Sequence, residues 1–66
     1  MSAFNLTIRL ANAEMQTGEN VADALEKVAA RLREFYGFDD LREWHNLNGG
    51  LMDVNGNHVG RWEVTP

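Results

Sequence analysis

The sequence predicts a small α+β fold, β-α-β-β, in which a three-stranded, mainly antiparallel sheet carries one helix packed on one face. Three observations predict this class: an alternating apolar run at residues 4–10, a helical apolar stripe at residues 21–36, and an Asn-Gly pair between two apolar-bearing runs near the carboxyl end. The chain has 66 residues and no internal repeats, so residues 1–66 are expected to form a single domain.

The first strand and the helix have the clearest signals. Apolar and polar residues alternate without a break over residues 4–10, which predicts a half-buried strand. From residue 21 to residue 36 the apolar positions are three and four apart, as on one side of a helix. Thr17 or Asn20 is suited to the N-cap, and Gly37 follows where a left-handed residue would end the helix.

The last third of the chain predicts a β-hairpin. Asn55 and Gly56 separate two apolar-bearing runs, residues 51–54 and 57–64. Asn-Gly is the preferred pair for a type I′ turn, in which both central residues take positive φ. We therefore predict a two-residue turn at Asn55 and Gly56.

Strict alternation along this hairpin does not give one apolar face. It would place Val59 on one side of the sheet and Trp62 on the other. A bulge at Gly60 would bring both to the same side, and glycine inside a strand is typical of bulges. We predict an irregularity at Gly60.

Composition narrows the classes of function. Ten acidic and six basic residues give a net charge of −4, which argues against direct nucleic-acid binding but suits an encounter with a basic protein surface. The absence of cysteine excludes disulfides and fits a reducing compartment. No apolar run reaches transmembrane length and no secretory leader is recognisable, so we expect a soluble, cytoplasmic protein that does not bind membranes.

The sequence offers no convincing metal or cofactor site. The run that begins at Asp53 resembles the start of a calcium loop, but the sixth and twelfth positions hold His58 and Val64 instead of glycine and glutamate. A turn in which Asp53 accepts hydrogen bonds from nearby backbone amides is the better interpretation. His45 and His58 could join Asp53 or Glu43 at a zinc ion, yet no ligand spacing supports such a site. We predict neither metal nor cofactor.

Catalytic motifs are also missing. There is no cysteine, and no hydroxyl residue lies in a nucleophile-elbow motif. Asp39 and Asp40 are adjacent, which favours capping of a short helical turn over acid–base chemistry. A domain of this size is expected to have little room for a pocket of about 300 Å³ or more. We therefore predict that the protein is not an enzyme.

The connection between helix and hairpin, residues 38–50, carries the strongest binding signal. It is longer than most loops, it contains a predicted short helical turn, and Gly49 and Gly50 interrupt it before the hairpin. Aromatic, basic and acidic residues interleave from residue 35 to residue 44, and Trp, Tyr and Arg dominate binding hot spots. The predicted partner-binding residues are Tyr36, Phe38, Asp39, Asp40, Glu43 and Trp44. The alternative is that these aromatic residues complete a thin core.

The closing run Leu-Met-Asp-Val-Asn-Gly-Asn-His-Val-Gly-Arg-Trp-Glu-Val, with the strand and helix before it, resembles small uncharacterised proteins encoded by phages and prophages. Those proteins end in a similar D-x-N-G-N-x-V-G-x-W-E hairpin. The specific matches are Asp53, Asn55, Gly56, Asn57, Val59 and Gly60. The resemblance implies no catalytic or ligand residues, and it does not include residues 35–46.

Together these features favour a small, non-catalytic phage or prophage accessory protein that binds a host protein complex. The most concrete form is an anti-CRISPR-like inhibitor that blocks a nucleic-acid-binding surface. The alternative is a homodimeric structural or regulatory phage protein whose aromatic residues form the dimer interface. A metal-dependent hydrolase using His45 and His58 is the least favoured hypothesis.

Overall fold

The computed structural model describes residues 1–66 and confirms the predicted class, one main helix with a three-stranded antiparallel sheet. The regular elements are β1 (Ala3–Ile8), α1 (Gly18–Phe35), β2 (Asn48–Met52) and β3 (His58–Thr65). Two short 3₁₀ helices, Ala13–Met15 and Leu41–Glu43, lie in the connections on either side of α1. None of the helices combines the length and the apolar character needed to cross a membrane.

The sheet has the order β1-β3-β2, so the last strand of the chain is central. β3 is antiparallel to both neighbours, and Trp62 lies opposite Leu6 of β1 and Gly49 of β2. β1 and β2 therefore form the two edges of the sheet.

The core is thin and centres on β3. Seven apolar residues are buried, namely Met15, Ala24, Val28, Leu47, Leu51, Val59 and Trp62. Phe4 covers the indole of Trp62 in a stacked arrangement, with ring centroids 5.4 Å apart and an interplanar angle of 17°. Only eight of 66 residues are buried in total, as expected for a domain too short to enclose a large core.

The start of α1 uses both residues proposed as its cap. Thr17 is the N-cap, and its hydroxyl oxygen accepts a hydrogen bond from the backbone N–H of Asn20 at 3.1 Å. The side-chain oxygen of Asn20 accepts in return from the N–H of Thr17 at 3.3 Å. This reciprocal capping box satisfies two N–H groups that a helix start leaves unpaired.

The hairpin loop differs from the predicted two-residue turn. Asp53 and Asn57 close a three-residue loop, with the N–H of Asp53 donating to the carbonyl of Asn57 at 3.0 Å and the N–H of Gly56 donating to the carbonyl of Asp53 at 3.1 Å. Gly56 has a φ of +81°, whereas Asn55 does not take positive φ. The prediction of a type I′ turn at Asn55 and Gly56 was therefore wrong, because the loop is one residue longer and needs one left-handed residue instead of two.

The irregularity between β2 and β3 lies one residue before the predicted position. Leu51 pairs with Gly60, and Met52 pairs with His58, so Val59 is the extra residue. Because Val59 occupies the bulge, it is buried on the same side of the sheet as Trp62.

The sequence indicated that Gly49 and Gly50 interrupt the chain before the hairpin. In the structure both residues belong to β2 instead. The reason is the large side chain on the neighbouring strand. A Cβ atom at Gly49 would lie 2.5 Å from Nε1 of Trp62, so the indole occupies the space above the glycine. Glycine is used here because another side chain approaches closely, which outweighs its poor strand propensity.

Candidate protein-binding surface

The aromatic segment begins where α1 ends. The N–H groups of Tyr36 and Gly37 both donate to the carbonyl of Leu32 at 3.0 Å, and Gly37 has a φ of +42°. A left-handed glycine at this position ends the helix and turns the chain away from its axis. Phe38 is the first residue beyond this turn and its side chain is fully exposed, at 109% of the reference area.

Three of the aromatic side chains lie together. The rings of Tyr36 and Trp44 meet edge to face with centroids 5.2 Å apart, and Phe35 lies 6.4 Å from Tyr36. Tyr36 is half-buried against the core, whereas Phe35 and Trp44 remain 64% and 47% exposed. Phe38 takes part in none of these ring contacts. We call Phe35, Tyr36, Phe38 and Trp44 the aromatic surface.

The second 3₁₀ helix holds Trp44 beside Tyr36. Asp40 is its N-cap and accepts a hydrogen bond from the backbone N–H of Arg42 at 3.0 Å. The guanidinium of Arg42 also contacts this carboxylate, with Nη2 2.7 Å from Oδ2. These hydrogen bonds from Arg42 hold the pKa of Asp40 at about 2. The predicted capping of this short helical turn is confirmed for Asp40, whose carboxylate is also paired with Arg42.

Asp39 and Glu43 are the acidic residues of this segment whose charges are not compensated. Both are exposed, and neither takes part in an ion pair. Two uncompensated negative charges therefore lie beside the aromatic surface.

The chain matches no protein-family model, no curated protein and no solved structure.

Asp53 is the least exposed polar residue, at 4%, and it joins two parts of the chain. One carboxylate oxygen accepts from the backbone N–H groups of Asn55 and Asn57, both at 2.9 Å. The other accepts from the side-chain amides of Asn12 at 2.7 Å and Asn57 at 3.2 Å. The predicted bonding of Asp53 to nearby backbone amides is confirmed. The bond from Asn12 was not foreseen, because 41 residues separate the two partners and no local pattern indicates such a pair.

This network changes the acidity of Asp53. The backbone N–H of Asn57 has the largest effect, and with the other donors it lowers the pKa of Asp53 below its ordinary value of 3.8, although burial acts in the opposite direction. The carboxylate is therefore ionised at neutral pH and fully occupied by protein donors. Asp53 therefore has a structural role, and neither of its carboxylate oxygens is free to bind a ligand.

The molecule also has a groove larger than the sequence led us to expect. A cavity of about 460 Å³ lies between α1 and β2, open to solvent and lined by residues of both elements and of the hairpin loop. The expectation of no pocket above about 300 Å³ was wrong, because the helix crosses the sheet without covering the β2 edge completely. No group of three potential ligands lies close enough together to hold a metal ion.

Acid should destabilise this fold in a defined range of pH. Asp53 has a lowered pKa in the folded state, so its contribution to stability is complete well above pH 3.8 and is lost as the pH falls through the lower folded-state value. The pKa of Asp40 is lowered to about 2, so its contribution to stability is also lost as the pH falls toward that value. We expect the melting temperature to fall below about pH 4. Thermal denaturation followed by circular dichroism at several pH values measures this.

The variant Asp53→Asn should show a shallower fall over the same range, since it no longer carries the titrating group. The variant Asp39→Asn removes an equal charge from an exposed residue outside the network and should keep the wild-type slope. Equal slopes in all three proteins would contradict the assignment to Asp53.

Proposed function

We propose that this chain is a small, non-catalytic protein-binding module whose aromatic surface makes the contact with its partner. The observation that carries the proposal is the exposure of Phe35, Phe38 and Trp44 within ten residues of sequence. Burying large aromatic side chains on association releases much apolar surface from water, and such residues dominate binding hot spots. Phe35, Tyr36 and Trp44 form a contiguous part of this surface, and exposed apolar patches are typical of interaction sites.

The aromatic surface is partly organised before any partner arrives. Tyr36 is held against the core and Trp44 is packed on its edge, so little side-chain freedom remains to be lost there on binding. Phe38 is the exception, since it has no ring contact and would become ordered only in the complex. We expect Phe38 to enter a pocket on the partner while Trp44 supports the rim.

The charges favour a basic partner. Asp39 and Glu43 flank the aromatic residues, and the whole chain carries −4. A protein that handles nucleic acids presents a positively charged groove, to which such a surface is complementary. We therefore propose, as the concrete form, a phage or prophage inhibitor of the anti-CRISPR type that occupies the nucleic-acid-binding surface of a host complex. The phage-like hairpin sequence supports this origin.

The thin core favours one other function. With only eight buried residues, the domain has little stability of its own, and a dimer formed through the aromatic surface would add buried area. The chain would then be a homodimeric structural or regulatory phage protein. Sedimentation equilibrium distinguishes the two functions. The inhibitor is expected to be monomeric, whereas the structural protein is expected to be a dimer that dissociates into monomers when Phe38 is changed.

Changing Phe38 to serine should weaken partner binding at least about thirtyfold without affecting the fold. The side chain is fully exposed and contacts no other ring, so its loss leaves the free energy of unfolding almost unchanged. Loss of a hot-spot aromatic residue costs about 2 kcal/mol or more, which is roughly a thirtyfold weaker complex. The measurement is capture of host proteins on immobilised protein, followed by titration calorimetry with the protein recovered.

The matched control is Val54→Ser, which removes an exposed apolar side chain from the hairpin loop, away from the aromatic surface. It should leave both capture and affinity as in the wild type. Equal capture by the wild type and the Phe38 variant would overturn the assignment of the aromatic surface, and a partner lost from both variants would indicate a different interface.

A further inference from the structure

We propose that the free edge of β2 and the groove beside it form a second binding site, which takes an extended, acidic segment of another protein as an added strand. This site is separate from the aromatic surface and does not depend on the function proposed above. We call it the edge groove and define it by Lys27, Val28, Arg31, Gly50, Leu51 and Trp62, which line the cavity.

The backbone of β2 offers hydrogen-bonding groups at this edge. The N–H of Val64 donates to the carbonyl of Leu47 at 2.9 Å, which marks these two residues as a hydrogen-bonded pair. Pairs in an antiparallel ladder alternate between bonded and non-bonded, so Gly49 and Leu51 also bond to β3. The N–H and C=O groups of Asn48 and Gly50 consequently point away from β3, toward the open edge.

The other side of β3 supports this alternation. The N–H of Arg9 donates to the carbonyl of Val59 at 2.7 Å, so the odd-numbered residues of β3 bond to β1. The even-numbered residues of β3 therefore bond to β2, in agreement with the hydrogen bond from Val64 to Leu47. An unpaired edge of this kind can accept one further strand.

The floor of the groove is apolar but contains one unused donor. Val28, Leu51 and Trp62 line it, and Trp62 is only 6% exposed. No hydrogen bond within the chain uses the indole N–H of Trp62, and this atom keeps some exposure to solvent. Nε1 lies directly over Gly49, beside the free edge. An unpaired indole N–H that reaches solvent can donate a hydrogen bond to an acceptor atom of a bound chain.

The charge of the groove identifies its occupant. Lys27 and Arg31 are one helical turn apart on α1, both line the groove, and neither forms an ion pair within the chain. Asp53 is the acidic residue of the lining, and asparagine side chains and backbone N–H groups occupy its oxygens. The two positive charges of Lys27 and Arg31 outnumber the single negative charge of Asp53 in the lining. In a chain of net charge −4 this groove is therefore a local basic site, to which acidic side chains of an added strand are complementary.

A second copy of this chain fits the site less well. Pairing of two β2 edges about a two-fold axis would bring Lys27 and Arg31 of each copy to the same interface. Like charges brought together across an interface oppose association. An acidic segment meets no such repulsion, because its carboxylates face Lys27 and Arg31 in the groove while its alternate, apolar side chains face the other side of the sheet.

The test uses a capped, eight-residue synthetic peptide of alternating valine and glutamate, titrated into ¹⁵N-labelled protein and followed by NMR. The expected result is a saturable shift of the amides of Asn48 and Gly50 and of the Trp62 indole signal, with the Trp44 indole signal unchanged as an internal control. A peptide with lysine in place of glutamate should not bind. The double variant Lys27→Glu with Arg31→Glu should weaken binding of the acidic peptide at least about tenfold.

Two controls separate the contributions. Arg33→Glu reverses a charge on the same helix outside the groove and should leave the affinity unchanged. In a bound strand the N–H groups of alternate residues point to opposite edges, so N-methylation at alternate residues blocks donation to β2 in only one of the two registers. The peptide methylated in that register should lose binding, and the peptide methylated in the other register should keep it. This comparison changes the peptide and not the protein, so it does not depend on the folding of a variant.

Three outcomes would overturn the proposal. The first is equal affinity for the acidic and the lysine peptide, and the second is equal affinity for both methylated peptides and the unmethylated parent peptide. The third is a shift of the Asn48 and Gly50 amide signals that depends on protein concentration in the absence of peptide. The last would identify a second copy as the occupant. The variant Phe38→Ser should bind the peptide as the wild type does, so failure of the edge groove and failure of the aromatic surface remain distinguishable.

Discussion

Replacing Gly60 with alanine is expected to remove most of the stability of the fold at 25 °C. A Cβ atom at this position would overlap the carbonyl oxygen of Thr7 and lie 3.0 Å from the Cα of Ile8. Both atoms belong to the backbone of β1, so neither can rotate away as a side chain would. Overpacking that displaces a strand costs about 3 kcal/mol or more, against a total stability of about 3–5 kcal/mol for a domain of this size.

Circular dichroism in increasing urea measures the effect. Gly18→Ala is the matched control, because the same methyl group at the start of α1 would meet no atom within 4 Å. The control should unfold at the wild-type midpoint or slightly above it, since alanine is the better helix former. A Gly60 variant with the wild-type midpoint would show that β1 and β3 are not packed as described.

Replacing Asp53 with asparagine should lower the melting temperature by roughly 5–15 °C. The new side chain keeps one oxygen for the backbone N–H groups of Asn55 and Asn57, but its amide would face the amides of Asn12 and Asn57. Asn12 cannot easily turn over, because its oxygen caps the first 3₁₀ helix by accepting from the N–H of Glu14. The partly buried amide of Asn12 therefore loses its partner, and the connection before α1 loosens.

Asp39→Asn is the matched control for this variant as well, with the same change of charge at an exposed residue that accepts no side-chain hydrogen bond. It should melt within about 2 °C of the wild type. Hydrogen exchange of the Met15 amide, which donates to the carbonyl of Asn12, should accelerate in the Asp53 variant alone. Unchanged exchange at Met15 would indicate that Asp53 stabilises only its own loop.

The two proposed surfaces have different origins in the fold. The aromatic surface follows from the end of α1, where Gly37 turns the chain outward and Asp40 fixes the second 3₁₀ helix. The edge groove follows from the strand order, which leaves β2 without an outer neighbour beside the middle turns of the helix. Variants at Phe38 and at Lys27 with Arg31 therefore test them independently.

Local patterns predicted the parts of the fold that local physics controls. The alternation in residues 4–10 and the apolar spacing of residues 21–36 each place one face of one element toward the core, and both elements are present. Gly37 was predicted to end α1, and its φ of +42° is consistent with that role. The loop at Asn55 and Gly56 was predicted less well, because the carboxylate of Asp53 organises the turn and a dipeptide rule does not include it.

The sequence by itself determined the α+β class and the order of the elements, since periodicity and capping are properties of neighbouring residues. It left open whether the aromatic residues after the helix complete the core, and only the tertiary structure showed that Phe35, Phe38 and Trp44 are exposed. Only the tertiary structure decided that β3 is central, that Val59 is the bulged residue, and that Asn12 meets Asp53. It alone decided that Gly49 makes room for Trp62. These features depend on pairs of residues far apart in the chain, and which pairs form is settled by packing the whole sheet against one helix.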